Sequence, residues 1–333
     1  MNLLPHAAAV LLLAAAMAVD ATPAAIQSVA RNPAMSTMTL TDAPQIRYHR
    51  VAVRGVEIFY REAGPADAPV LLLLHGFPSS SHQYRQLLAM LSRDWRAIAP
   101  DYPGFGHSAA PLPASAGGHY AYTFDGLADT MAGFCDALGL RRFALYMFDF
   151  GGPIGMRLAA RHPDRIAGII VQNANAYEEG LSPMAREAVA LRPGMEGAEA
   201  QARALLRADI TRWQYLQGAT DPGRISPDAW TMDQYFLDLP GRDRIQVDLA
   251  LDYHSNVALY PRWQAWLREH RPPALVLWGR NDPIFVEAGA HAYLRDLPHA
   301  RLHLLDGGHF VLEERAAEVA GLVDGFLREL SFE

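Results

Sequence analysis

The 333-residue sequence contains no lysine; all 29 of its basic residues are arginines. Chemistry that needs a lysine amine, such as a Schiff base or a phosphate-loop lysine, is therefore excluded. There is one cysteine, Cys135, so neither an intramolecular disulfide nor a multi-cysteine metal site is available. It falls in a helical stretch, Leu127 to Leu138, and reads as a buried structural thiol. Positive charge is scarce: 36 acidic side chains against 29 arginines give a net charge of −7, and no basic block is longer than Arg141-Arg142. Nucleic acid needs a basic stripe to neutralise its phosphates, so no nucleic-acid partner is expected. No apolar run reaches the ~20 residues of a membrane-spanning helix.

The 13-residue apolar run Ala7 to Val19 has instead the length of a signal-peptide core, with Val19-Asp20-Ala21 as an acceptable cleavage site. Its start is weak, because Met1 to His6 carries no Arg or Lys. Two readings stay open: export to the periplasm behind a signal peptide over 1–21, or translation from Met35 or Met38 and a cytoplasmic protein. Residues 1–44 are read as leader and linker in both cases.

What the rest contains is ordinary for a globular chain, half apolar and 20% charged. Tyr48 to Val53 and Val56 to Glu62 alternate as strands joined by an Arg54-Gly55 turn. Val70 to Leu74, Arg96 to Ala99, Phe143 to Phe148 and Ile166 to Val171 are short apolar strands of the kind buried on both faces. Helical periodicity separates them: a stretch opened by Ser79-Ser80-Ser81, one from Thr123 to Leu138 with Thr123 as N-cap, and one from Pro153 to Arg161. This alternation predicts a parallel sheet covered by helices on both faces, an α/β fold. It pauses over 177–261, which read as helical, and resumes with strands at Ala274 to Trp278 and Arg301 to Leu305 and helices around Ala288 to Leu297 and Phe310 to Leu330. The predicted order is thus core over 45–176, helical insertion over 177–261, and core again over 262–333.

In such sheets, ligands sit beyond the carboxyl ends of the strands. Four chemistry-bearing segments fall there. Asp149-Phe150-Gly151-Gly152-Pro153 follows a strand and runs directly into a helix, the geometry of a nucleophile elbow with aspartate where serine is commoner. Met147 departs from that pattern, since a small residue is usual there. Asp149 could equally be a plain helix N-cap. His75-Gly76-Phe77-Pro78 stands where an oxyanion-hole loop belongs, so the Phe77 and Phe150 amides would converge on one oxygen. Asp282 follows the strand at 274–278, and His309 follows the strand at 301–305. Gly106-His107-Ser108 is a decoy, because Pro111 and Pro113 leave no room for a helix to start. With no Gly-x-Ser-x-Gly present, a serine esterase is disfavoured, and so is metal-dependent hydrolysis, for lack of a His-Glu-x-x-His.

Taken together, the segments at 75–78, 101–108, 149–155, 279–283 and 307–310 resemble the α/β-hydrolase superfamily. More narrowly they are similar to its aspartate-nucleophile branch of epoxide hydrolases and haloalkane dehalogenases. The resemblance spans about residues 45 to 333. It implies an α/β-hydrolase core with a helical cap inserted over 177–261. It implies a triad of Asp149 as nucleophile, His309 as base and Asp282 as its partner, working without a cofactor on a small apolar organic substrate and water. A carboxylate is already charged at neutral pH and can displace at an sp³ carbon, giving an alkyl ester that activated water then cleaves.

Dehalogenases of this branch hold the departing halide with side-chain N–H groups, but the corresponding positions here are Phe77 and Phe150. Trp213, Trp230 or Trp263 could serve instead. Epoxide hydrolases use cap tyrosines, for which Tyr253 and Tyr215 are the candidates. Epoxide opening is therefore the favoured expectation and haloalkane dehalogenation the alternative. A serine-type esterase and a non-catalytic binding protein follow at a distance, and the oligomeric state is left open.

Overall fold

A computed structural model describes residues 45–332; the leader and linker expected over 1–44 lie outside the described residues. Eight strands form one sheet in the order β1-β2-β4-β3-β5-β6-β7-β8. They are β1 (Arg47–Val53), β2 (Val56–Ala63), β3 (Val70–Leu74), β4 (Arg96–Pro100), β5 (Phe143–Phe148), β6 (Ile166–Gln172), β7 (Ala274–Gly279) and β8 (Arg301–Leu305). β1 and β2 are antiparallel to each other, β2 is antiparallel to β4, and all later pairings are parallel. Arg54 and Gly55, with φ of 51° and 80°, make the two-residue turn whose twist matches the strands it joins.

Side chains of the central strands alternate between two apolar layers. Leu72, Leu74, Leu145, Met147, Ile169 and Val171 face one layer, with α2 (Phe124–Ala137), α3 (Gly151–Arg161), α9 (His254–His270) and α10 (Ala288–Asp296). Leu71, Leu73, Tyr146, Phe148, Leu275 and Leu277 face the other, with α1 (Arg85–Leu91) and α11 (Val311–Leu327). Each such leucine contributes roughly 1.5–3 kcal/mol by leaving water. Cys135 lies in the first layer, and burial pushes its thiol up to about 12, which keeps it protonated and inert.

Helix starts follow the local chemistry. The Thr123 hydroxyl accepts the Gly126 N–H at 3.0 Å and caps α2. The stretch opened by the three serines begins as a 3₁₀ turn, Ser81–Tyr84, before α1 takes over. Asp101 holds the Ser81 amide at 2.7 Å there and tightens the entry.

Between β6 and β7 run α4 (Pro183–Val189), α5 (Ala198–Ala204), α6 (Ala208–Leu216), α7 (Pro227–Leu237), α8 (Arg242–Asp252) and α9. The helical stretch expected to close at residue 261 continues instead to His270, because α9 passes through Pro261. The bond lost at a mid-helix proline is offset here by buried Tyr260, Trp263, Trp266 and Leu267 on both sides of it. No described helix is long and apolar enough to cross a membrane. The parallel register brings the carboxyl ends of β3, β5, β6, β7 and β8 to one edge of the sheet, and the six helices join β6 to β7 from that edge.

Candidate active site

β5 ends at Phe148, and Asp149 turns the chain with φ of 47°, a left-handed conformation that costs a non-glycine residue about 1–3 kcal/mol. The helix that follows starts at Gly151 with Phe150 at its N-cap position, so Asp149 is not the capping residue. The strain is held by close packing. A Cβ on Gly76 would fall 2.4 Å from the Asp149 Cβ, so only glycine lets the β3 loop approach the turn. Met147 is accommodated by Gly155, whose missing side chain leaves room for the methionine sulfur.

The two oxygens of the Asp149 carboxylate have different surroundings. Oδ1 accepts the Phe77 N–H at 2.6 Å. Oδ2 lies 3.8 Å from Nε2 of His309. Burial raises the pKa of Asp149. The His309 charge and the Phe77 and Phe150 amides oppose that rise, and the negative charge of Asp282 adds to it.

His309 donates through Nδ1 to Oδ2 of Asp282 at 2.7 Å. Burial works against its charged form, but the charge and hydrogen bond of Asp282 and the charge of Asp149 outweigh it, so its pKa lies above the ordinary imidazole value. Asp282 is held in turn: Oδ1 accepts the Ile284 and Phe285 amides at 2.7 and 3.1 Å, and Oδ2 also accepts the Asn173 side-chain N–H at 2.8 Å. Asn173 was not among the residues expected from the sequence. It follows directly after β6 with φ of 41°, and its Oδ1 accepts the Gly279 N–H at 2.9 Å, tying the end of β6 to β7 ahead of the Asp282 loop. The polar pair Gln172-Asn173 at the carboxyl end of an apolar parallel strand was the available signal.

A cavity of about 350 Å³ opens above these groups, lined by Asp149, Phe77 and Phe150 from the sheet side and by residues of α4, α5, α6 and α8 opposite. Tyr253 lines it. Its ring lies 5.8 Å from that of Phe150, and its hydroxyl has no hydrogen-bond partner among the described residues. The Tyr260 phenol is close enough to bias its ionisation without meeting it in hydrogen-bond geometry, and burial, the largest influence, holds Tyr253 well above the ordinary phenol value. Both sides of Tyr253 are anchored to the core. Asp252 accepts the Phe124 N–H at 2.8 Å, and buried Arg157 donates to Ser255 at 3.0 Å and Asn256 at 2.6 Å.

Tyr215 is a correction to the expected substrate contacts. It does not line the cavity; its ring stacks on Phe310 at 3.7 Å and its hydroxyl donates to Asp233. Its α6 neighbours Trp213 and Gln214 face the cavity instead, while Trp230 and Trp263 do not line it. His75 is structural: its Nδ1 meets the Gly76 carbonyl at 2.9 Å, and burial lowers its pKa to about 4. The Ser108 hydroxyl donates to the Asp101 carbonyl and accepts the Phe59 N–H, which removes it as a nucleophile. Among the described residues no group of His, Cys, Asp and Glu is clustered to hold a metal ion.

Comparison with known proteins gives four findings. Residues 69–316 match the family model described as alpha/beta hydrolase fold. An uncharacterized hydrolase of Saccharomyces cerevisiae is 39% identical over 280 residues, which is 82% of this chain and 94% of the yeast protein. A haloalkane dehalogenase of Mycolicibacterium paratuberculosis is 27% identical over 307 residues, 88% of this chain and 96% of that one. Among solved structures, a haloalkane dehalogenase from Bradyrhizobium elkani superposes with a TM-score of 0.67 at 25% identity, covering 85% of this chain and 99% of that chain.

Proposed function

Because the chain belongs to the α/β-hydrolase fold family, we propose that it hydrolyses small apolar electrophiles through a covalent ester on Asp149, with epoxides as substrates. The observation that carries this reading is the division of labour on the Asp149 carboxylate. Oδ1 sits on the Phe77 amide while Oδ2 is left between the cavity and His309. When Oδ2 attacks a ring carbon, a C–O bond forms and the ring C–O bond breaks. The ester carbonyl oxygen is then Oδ1, already placed against the donors that stabilise negative charge when water adds. His309 takes a proton from that water, Asp282 stabilises the imidazolium, and collapse of the tetrahedral species returns the Asp149 carboxylate and releases a diol.

The opened ring oxygen needs a proton. Tyr253 supports this role: it lines the cavity, keeps its proton and has its hydroxyl uncommitted. The proton that His309 takes from water balances the one Tyr253 gives. In this reading the helices of 177–261 form the lid that excludes bulk water. Haloalkane dehalogenation by the same ester is the second reading. It is favoured by the dehalogenase relatives and by Trp213, whose side chain lines the cavity. Against it, the Phe77 and Phe150 side chains offer a halide no N–H.

The test is a panel of terminal epoxides and bromoalkanes given to His309→Gln, read by intact mass, with diol and halide release measured on the unaltered chain. An adduct on Asp149 and diol from epoxides are expected. Halide release without diol reverses the substrate order, and no adduct from either class ends the ester mechanism.

A further inference from the structure

The cavity wall is apolar along most of its length, yet besides Asp149 and Asp209 it carries two carboxamides. Gln246 on α8 and Gln214 on α6 both line it, and they are 3% and 4% exposed. Oε1 of Gln246 has no hydrogen-bond partner among the described residues. A buried amide oxygen without a partner costs about 1–3 kcal/mol, and buried polar groups in folded proteins are almost always paired. Gln246 therefore does nothing for the packing of α8 that leucine would not do better. Such a group is retained when its partner arrives with the ligand.

Its position says where on the ligand that partner lies. Gln246, Ala250 and Tyr253 all line the cavity, at the i, i+4, i+7 spacing of one helix face. Seven residues at ~1.5 Å each set Gln246 about 10 Å along the helix from Tyr253. The methyl group of Ala250 leaves the space between them open. Gln246 is thus too far away to meet the oxygen of a ring opened beside Asp149 and Tyr253.

We infer that Gln246 is a specificity subsite for a second oxygen function. The preferred substrate is an apolar chain with the reactive carbon at one end and a hydroxyl about 10 Å from it. A hydroxyl both donates and accepts, so it satisfies a carboxamide in either orientation. This inference rests on the cavity being the substrate site, as argued above, but not on whether the electrophile is an epoxide or a halide.

The test compares the terminal epoxide of octane with the same epoxide carrying a hydroxyl on its far carbon. The kcat/KM ratio for the two is measured in the unaltered protein and in Gln246→Leu. The ratio should favour the hydroxylated substrate about tenfold and collapse toward one in Gln246→Leu, whose melting temperature should be equal or higher. A ratio that is the same in both proteins overturns the inference. Calorimetric binding of octane-diol against octan-1-ol reads the same selectivity without turnover. Selective binding that depends on Gln246, with no His309→Gln adduct, would refute the ester mechanism and keep the subsite. An adduct with no selectivity would refute the subsite and keep the mechanism.

Discussion

The two walls of the cavity are built to different standards. On the sheet side the groups proposed to react are each held on one side: Asp149 Oδ1 by the Phe77 amide, His309 Nδ1 by Asp282, and Asp282 by Asn173 and two backbone amides. On the helical side Tyr253 and Gln246 present polar groups that nothing in the described chain completes. A group whose job is the same for every substrate is best held rigid by its own protein. One that recognises or protonates the substrate must keep its hydrogen bond free until the substrate arrives. In this reading the difference separates chemistry from selectivity, and it is breakable by substitution.

The sharpest break is at Tyr253. Tyr253→Phe keeps the ring and its packing on Phe150 but removes a cavity-lining residue's hydroxyl that has no partner among the described residues. Epoxide hydrolysis should fall about 100-fold, the lower range for loss of a general acid, while any turnover of bromoalkanes is spared because halide needs no proton. Equal losses on both substrate types would mean that Tyr253 only shapes the cavity. A smaller effect is expected at Asn173, a positioning residue on the held side. Asn173→Leu should lower kcat about 10–100-fold with little change in KM, because the Asp282–His309 pair loses its lateral restraint. It should also move the pH profile. With one donor removed, the Asp282 charge is less shared and the His309 pKa rises further. Since the base must be neutral to accept a proton, the acidic limb of kcat moves to higher pH. An unmoved limb would leave Asn173 with a purely structural role.

The held wall was also the legible one. Parallel strands put their carboxyl ends at one edge, so Asp149, Asp282 and His309, each just past a different apolar strand, had to meet. Strand limits were readable to within a residue or two for the same reason, because continuous apolar runs bounded by glycine, proline or charge leave little latitude. The helical wall gave no such anchor. Tyr215 and Trp213 lie two residues apart on α6, and which of them faces the cavity depends on the rotation of that helix against Phe310, a tertiary fact absent from local periodicity. The expected helical stretch ended at 261, short of the end of α9 at His270, because the aromatic packing that carries the helix through Pro261 is non-local. Asn173 escaped because polar residues after a strand mark its end without assigning a role to any one of them; its meaning appears only when the β7 loop is placed beside it.

The weakest contrast between the walls is the buried Asp233 on α7, which does not line the cavity and accepts the Tyr215 hydroxyl. Burial raises its pKa to about 7. The Tyr215 hydroxyl and the Arg85 charge oppose that rise, and the negative charges of Glu313 and Asp101 add to it. Glu313 is itself paired with Arg85 at 2.7 Å, which limits what Arg85 can offer Asp233. A carboxyl whose folded pKa lies above its unfolded value binds its proton more tightly when folded. Its contribution to stability is therefore full below the ordinary carboxylate range and is lost as pH rises through about 7. Melting temperature should accordingly fall between about pH 5 and pH 7 by a few degrees more in the unaltered protein than in Asp233→Asn, which keeps an acceptor for Tyr215 and cannot ionise. Parallel melting curves for the two proteins would place the titration elsewhere and make the α6–α7 pair as firmly held as the sheet wall.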